Sequence, residues 1–168
     1  MNYLRTCLAK MYLISSLILG GNQTFADQRH TNEIIGEAVK ENIVLVCVKE
    51  CDDLMLSPMR LRKLFLGMPV QGKRHYLKPL VNVSDQQLEN VFYQSVVAMS
   101  RKSFQAKTLM QQLRFAFAVP KQFEDQSVLF TELEKLPTGV TYMWQRDADK
   151  IKNIRVIRTL WQGVYAGN

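Results

Sequence analysis

Six cations with no acid among them, set between two serines at helix starts, are the groups in this chain whose types and spacing best suit chemistry. Arg60, Arg62, Lys63, Lys73, Arg74 and Lys78 lie between Leu54 and Ser84, a span without Asp or Glu. Such a segment attracts a small anion, an acidic partner or lipid head groups. Read plainly, it is a solvated basic surface that keeps the protein soluble. Ser57 and Ser84 both precede helix-like stretches, and free backbone N–H groups with the helix dipole favour negative charge at such positions. An oxyanion site would draw on Ser57 and Ser84, assisted by Lys73 or Arg74. Asp85 opposes it, because a carboxylate at that helix start competes with an incoming anion. More simply, Ser84 is the N-cap of its helix.

Other chemistries find little support. There is no G-x-S-x-G elbow, Walker loop or H-E-x-x-H pair, so neither an enzyme nor a cofactor is expected. The two histidines, His30 and His75, have no ligand-like spacing to the cysteines, and no metal site is expected. Glu132 and Glu134 beside Lys135 read as a solvated helix face, and Met55, Met59 and Met68 as packing around a helix. Basic charge without interleaved aromatics or a recognition motif gives no nucleic-acid partner. Cys47 and Cys51 can form a disulfide if the chain turns at Lys49-Glu50. On a continuous strand they would be ~13 Å apart, too far to bridge. Cys47 also alternates in phase with Ile43 and Leu45, as a small buried apolar residue would.

The elements that must position these groups read as follows. Glu33–Lys40 fits a short strand or a helical turn. Asn42–Val48 is almost continuously apolar and reads as a buried central strand of the parallel-sheet kind. Ser57–Gly67, S-P-M-R-L-R-K-L-F-L-G, is a short helix with both ends written in. Ser57 caps it, Pro58 suits its first turn, and Gly67 can end it in the left-handed conformation. Leu61, Leu64 and Phe65 share its inner face, and strand plus helix make half of a βαβ unit. Tyr76–Val83 reads as a strand, interrupted or edge-placed at Pro79. Ser84 opens a helix with Gln87 completing a capping box; Leu88, Val91, Phe92, Ser95 and Val96 follow at helical spacing. A third helix starts near Ser100 with Phe104, Leu109 and Leu113 as core positions. Glu124–Leu136 suits a fourth, using Leu129, Leu133 and Leu136. Pro137-Thr138-Gly139 is a turn before a strand, Val140–Trp144. The last strand, Asn153–Leu160, sets Ile154, Val156, Arg158 and Leu160 against Arg155 and Ile157. Alternating strands and helices point to an α/β fold: one domain with a mixed sheet and flanking helices.

Residues 1–26 have the layout of a secretory signal peptide: Arg5 and Lys10 without acids, the apolar run Met11–Gly20, and Thr24-Phe25-Ala26 as a small-x-small cleavage site. Cleavage there leaves residues 27–168 as the folded domain, exported to the periplasm, with no later segment apolar enough for stable membrane insertion. The full chain carries a net charge of +7, of which Arg5 and Lys10 supply two units.

From Asn42 to Leu160 the chain resembles small periplasmic proteins related to the phosphate-binding components of ABC transporters, in the type 2 periplasmic-binding superfamily. The likeness rests on ordered pieces. They are the apolar strand, Ser57–Gly67, Leu88-x-x-Val91-Phe92, Gln112-Leu113-Arg114-Phe115, and L-P-T-G-V-T-Y-M at Leu136–Met143. The resemblance implies a single lobe of the two-lobed fold, a small oxyanion such as phosphate as ligand, and a transporter or other envelope protein as partner. It places the anion loop at Asn82–Gln87 and so adds Asn82 to Ser57, Lys73, Arg74 and Ser84. The sequence departs where the family's loop has glycine and serine, since Asp85 and Gln86 stand there. The loop after Gln112–Phe115, Ala116–Val119, offers no phosphate cradle. Two functions follow: an exported substrate-binding-protein-like module for uptake or sensing of an oxyanion, or a non-transporting interaction component of a cell-envelope complex that has lost its ligand.

Overall fold

Strand β1, Ala38–Cys47, carries Lys40, Glu41 and Asn42 in its first half and is continuously apolar from Ile43 to Cys47, where both of its faces are covered. Ile43, Leu45 and Cys47 enter one core and Val44 and Val46 enter another, the alternation a pleated strand imposes. The computed structural model describes residues 38–48, 56–72 and 74–166. Residues 1–26, Cys51 and Lys73 lie outside them. Cys47 is disulfide-bonded.

The other elements follow in chain order. They are α1 Pro58–Phe65, β2 Lys78–Asn82, α2 Gln86–Val91, α3 Arg101–Phe115, β3 Lys121–Phe123, α4 Gln126–Lys135, β4 Gly139–Trp144, α5 Gln145–Ala148 and β5 Arg155–Ala166. A π-helical turn, Phe92–Val96, continues α2. The fold is a single α/β domain with a five-stranded mixed sheet, in the order β3-β2-β4-β1-β5. On one face lie α1, α2, the π-turn and Phe104 of α3. On the other lie α4 and α5, through Leu129, Leu133 and Ala148.

Several elements match the sequence reading. Ser57 Oγ accepts the Arg60 amide, and Leu61, Leu64 and Phe65 are buried. Gly67 has φ +81°, and a Cβ there would meet the Ala118 carbonyl at 2.5 Å, so both conformation and space demand glycine. Phe65 meets Phe92 and Tyr142 edge-on at 4.9 and 5.6 Å, while Phe92 and Tyr142 stack at 3.5 Å. This aromatic cluster joins α1, the π-turn and β4 into one core.

The topology departs from that reading in five places. First, β1 is antiparallel to both neighbours, β4 and β5, so β1 and α1 do not begin a parallel βαβ unit. An apolar run reports burial on two faces, not strand direction. The parallel pairs are β2 with β3 and β2 with β4. Second, β2 is an interior strand, despite Pro79. Lys78 N–H bonds Thr138 on the β4 side, so the amide Pro79 lacks would face the β3 side, before pairing begins at Leu80–Lys121. Third, α2 is capped by Asp85 rather than by Ser84 with Gln87. Fourth, α3 buries Phe104 and Thr108, but Leu109 and Leu113 are exposed. Fifth, the simple alternation in β5 fails. Register shifts leave Leu160 and Ile157 unpaired beside β1, and these residues pack on the aromatic core while Val156 is exposed. Bulges re-aim side chains in this way.

Candidate functional site

Two of the parallel strands, β2 and β3, run into short loops that start α2 and α4, and each loop places an aspartate at the helix start. In open α/β sheets the carboxyl ends of the strands are where ligands commonly sit. Here they border a cleft of about 420 Å³ lined by Asn82, Ser84, Asp85, Leu88, Glu124, Asp125, Gln126, Met143, Trp144 and Asp147.

Asn82 organises one wall. Its Nδ2 donates to the Tyr142 carbonyl at 3.1 Å, and its Oδ1 accepts from Ser84 N at 3.1 Å and Ser84 Oγ at 2.6 Å. Tyr142 OH in turn donates to the Asn82 carbonyl at 2.8 Å. Ser84 therefore points back to Asn82 and leaves the helix start to its neighbour. Asp85 Oδ1 accepts the amides of Gln87 and Leu88 at 2.8 and 2.9 Å, and Oδ2 accepts the Trp144 indole N–H at 3.1 Å. Partial burial pushes the Asp85 carboxyl up. The Leu88 and Gln87 amides, the Trp144 indole and the charge of Arg146 outweigh it and hold the group below its ordinary value.

Asp125 repeats the arrangement. Its Oδ1 accepts from Ser127 N at 2.7 Å, Ser127 Oγ at 2.6 Å and Val128 N at 3.2 Å. The Ser127 hydroxyl and the two amides hold its carboxyl below the ordinary value. The amides that could cradle an anion are thus taken at both helix starts by carboxylates of the chain itself. Glu124 and Asp147 add two more carboxylates, Asp147 paired with Lys150 at 2.9 Å, and among the described residues no Lys or Arg lines the cleft. Arg146 pairs with buried Glu41 and sits 5.6 Å over the Trp144 ring. As it stands the cleft has its helix-start amides taken by carboxylates and carries net negative charge, a poor setting for an oxyanion.

The predicted site residues separate. Asn82 and Ser84 meet in the cleft. Ser57 caps α1 and is not among the lining residues. Arg74 is exposed in the loop before β2, at the amino end of a strand whose carboxyl end forms the cleft; at ~3.3 Å per residue, the strand alone separates Lys78 from Asn82 by roughly 13 Å. Arg60 turns to the Gln71 carbonyl. Asp125, Glu124, Asp147 and Trp144 were not foreseen. One signal was present: Asp85-Gln86 and Asp125-Gln126 both follow a strand and precede an apolar helix position. Starting the fourth helix at Glu124 hid the second aspartate inside it.

No family model matches the chain, and a search of curated proteins finds no match. Among solved structures it is similar to PstS from Borrelia burgdorferi, with a TM-score of 0.51 and 9% identity over 71% of this chain. That likeness concerns the fold. The match takes in 47% of the PstS chain, so this protein spans about half of its length.

Proposed function

We propose that this chain is an exported binding module, built on half of a PstS-like fold, that contacts a macromolecular partner at the cell envelope and does not carry a small oxyanion. The observation that supports this most directly is the pair of aspartate caps. Asp85 and Asp125 take the amides at both helix starts beside the cleft, and Glu124 reinforces their charge. Export to the periplasm rests on the leader-like residues 1–26 and their small-x-small site. No catalytic role is part of this reading.

The second reading, capture of phosphate or a similar oxyanion, draws on the family resemblance in the sequence and on the acid-free basic segment. Under it, Ser57, Lys73, Arg74, Asn82 and Ser84 would supply donors, with a transporter as partner. Calorimetric titration of phosphate and sulfate separates the two. The interaction reading expects no binding by wild type, and Asp85→Gly reports whether that carboxylate alone excludes the anion. Saturable, salt-sensitive binding by wild type would overturn the interaction reading. Intact-mass measurement of the periplasmic fraction checks the compartment: a chain shortened to begin at Asp27 supports export, and one retaining Met1 in the cytoplasm refutes it.

A further inference from the structure

The outer side of α3 has the composition of a buried face and the exposure of a free one. Phe104 and Thr108 turn inward, and Phe104 packs on Tyr93 at 4.9 Å between ring centroids. Arg101 anchors the start of the helix to buried Glu89 at 3.1 Å. Leu109, Met110 and Leu113 occupy another side at i, i+1 and i+4, and they are 54%, 48% and 77% exposed. Three adjacent apolar residues on one helical face, this open to water, mark a contact surface more than chance placement does.

The charge around them narrows the occupant. From Asn90 to Phe123 the chain has five cations and no acid. Arg101 and Lys121 pair with Glu89 and Glu132. Lys102, Lys107 and Arg114 make no ion pair among the described residues. At 100° per residue, Lys102 lies in line with Leu109 and Leu113, and Lys107 and Arg114 lie beside Met110. A second copy would bring these cations against their own kind. The partner that satisfies both features is anionic and apolar beneath its charge.

We propose that this face of α3 docks peripherally on an anionic lipid surface, with Leu109, Met110 and Leu113 at the acyl boundary and Lys107 and Arg114 among the head groups. The basic amphipathic face is suited to that interface, and the long cationic side chains can keep their charges at head-group level while their stems cover apolar surface. This deepens the interaction reading by naming the partner's chemistry. Its test reads α3, whereas phosphate calorimetry reads the cleft, so the two fail separately.

The test uses the full chain carrying Leu113→Trp, with Val128→Trp as control. Val128 is similarly exposed but belongs to α4, on the other face of the sheet. Each is mixed with vesicles of phosphatidylglycerol and brominated phosphatidylcholine, and with brominated phosphatidylcholine alone. The proposal expects bromine to quench the indole introduced at position 113, but not that at 128, and only where anionic lipid is present. Wild type, whose Trp144 and Trp161 also emit, supplies the background that is subtracted; the difference is local to the introduced indole, so binding through the apolar run Met11–Gly20 does not imitate it. Adding Lys107→Glu with Arg114→Glu should weaken the quenching by at least roughly 25-fold in lipid concentration, since each cation near such a surface is worth about fivefold. No quenching at 113, equal quenching at both positions, or quenching indifferent to the charge reversal would each overturn the proposal. If the charge reversal instead abolished binding to an acidic protein while vesicles gave no quenching, the face would belong to a protein groove and the lipid assignment would fall.

Discussion

At the carboxyl ends of β2 and β3, every helix start is met by a carboxylate from the chain itself; on the outer side of α3, Leu109, Met110 and Leu113 lie open to water. The cleft is acidic and internally bonded, while α3 is basic, apolar and unsatisfied. In folds of this kind a cleft at the strand ends is the usual place for a ligand. Here the amides at both helix starts, Asn82 and the Trp144 indole are spent on holding the structure together. The difference teaches that the position of a cleft in a fold says less about use than whether its donors are free. The surface with unmet interactions is the helix.

The largest effect should come from the core that supports both regions. Phe65 is fully buried and contacts Phe92 and Tyr142, which joins α1 to the π-turn and to the strand that ends in Trp144. Phe65→Ala should cost ~3–5 kcal/mol, from lost transfer energy and the cavity left behind. Denaturant titration at unchanged m-value measures it. A midpoint close to wild type would remove Phe65 from the shared support and break the comparison at its base.

An intermediate effect is expected in the cleft. Asp85→Ala removes the acceptor of two helix amides and of the Trp144 indole, and should cost ~0.5–2 kcal/mol, the range for losing an N-cap. Ser84→Ala should cost less, because Ser84 does not cap the helix. Equal losses would return the cap to Ser84. The pH dependence has a definite sign. The Asp85 carboxyl lies below its ordinary value of 3.8 in the folded chain, so its stabilisation is complete above that value and is lost as pH falls through the lower folded one. The stability gap between wild type and Asp85→Asn should therefore shrink in acid. A gap that is constant with pH would show that the charge contributes nothing to the cap.

The contrast between the two regions was only partly legible in the sequence. Local rules were readable where one residue type answers one local demand, as at Ser57, Pro58 and Gly67 around α1. The α/β class and the mixed sheet also followed from alternating elements. Strand direction did not, because Ile43–Cys47 would look the same in either orientation when covered on both faces. The cap of α2 was misassigned because Ser84 and Asp85 are both good N-caps and only the Asn82 side chain, engaging Ser84, decides between them. The basic segment before Ser84 looked like part of the site because it is close in sequence, yet β2 carries its Lys78 to the far end of the strand. Leu109 and Leu113 have the spacing of core residues and are open to water. Periodicity finds an apolar face but does not say what covers it.

The smallest effect should come from that face, and its smallness is the point. Leu113 is the most exposed large apolar residue of the described chain, so it is already in water when the protein is folded. Leu113→Ser removes little buried area, and surface substitutions of this kind change stability by no more than about 0.5 kcal/mol. Leu129→Ser, on the buried side of α4, supplies the contrast, since it should lower the denaturation midpoint substantially by opening a cavity and burying a hydroxyl. If Leu113→Ser proved as costly as Leu129→Ser, the α3 face would be covered in the folded protein, and its openness could no longer be set against the closed cleft. If it cost almost nothing, the fold would not require an apolar residue at that position, and the face would be free for a contact from outside.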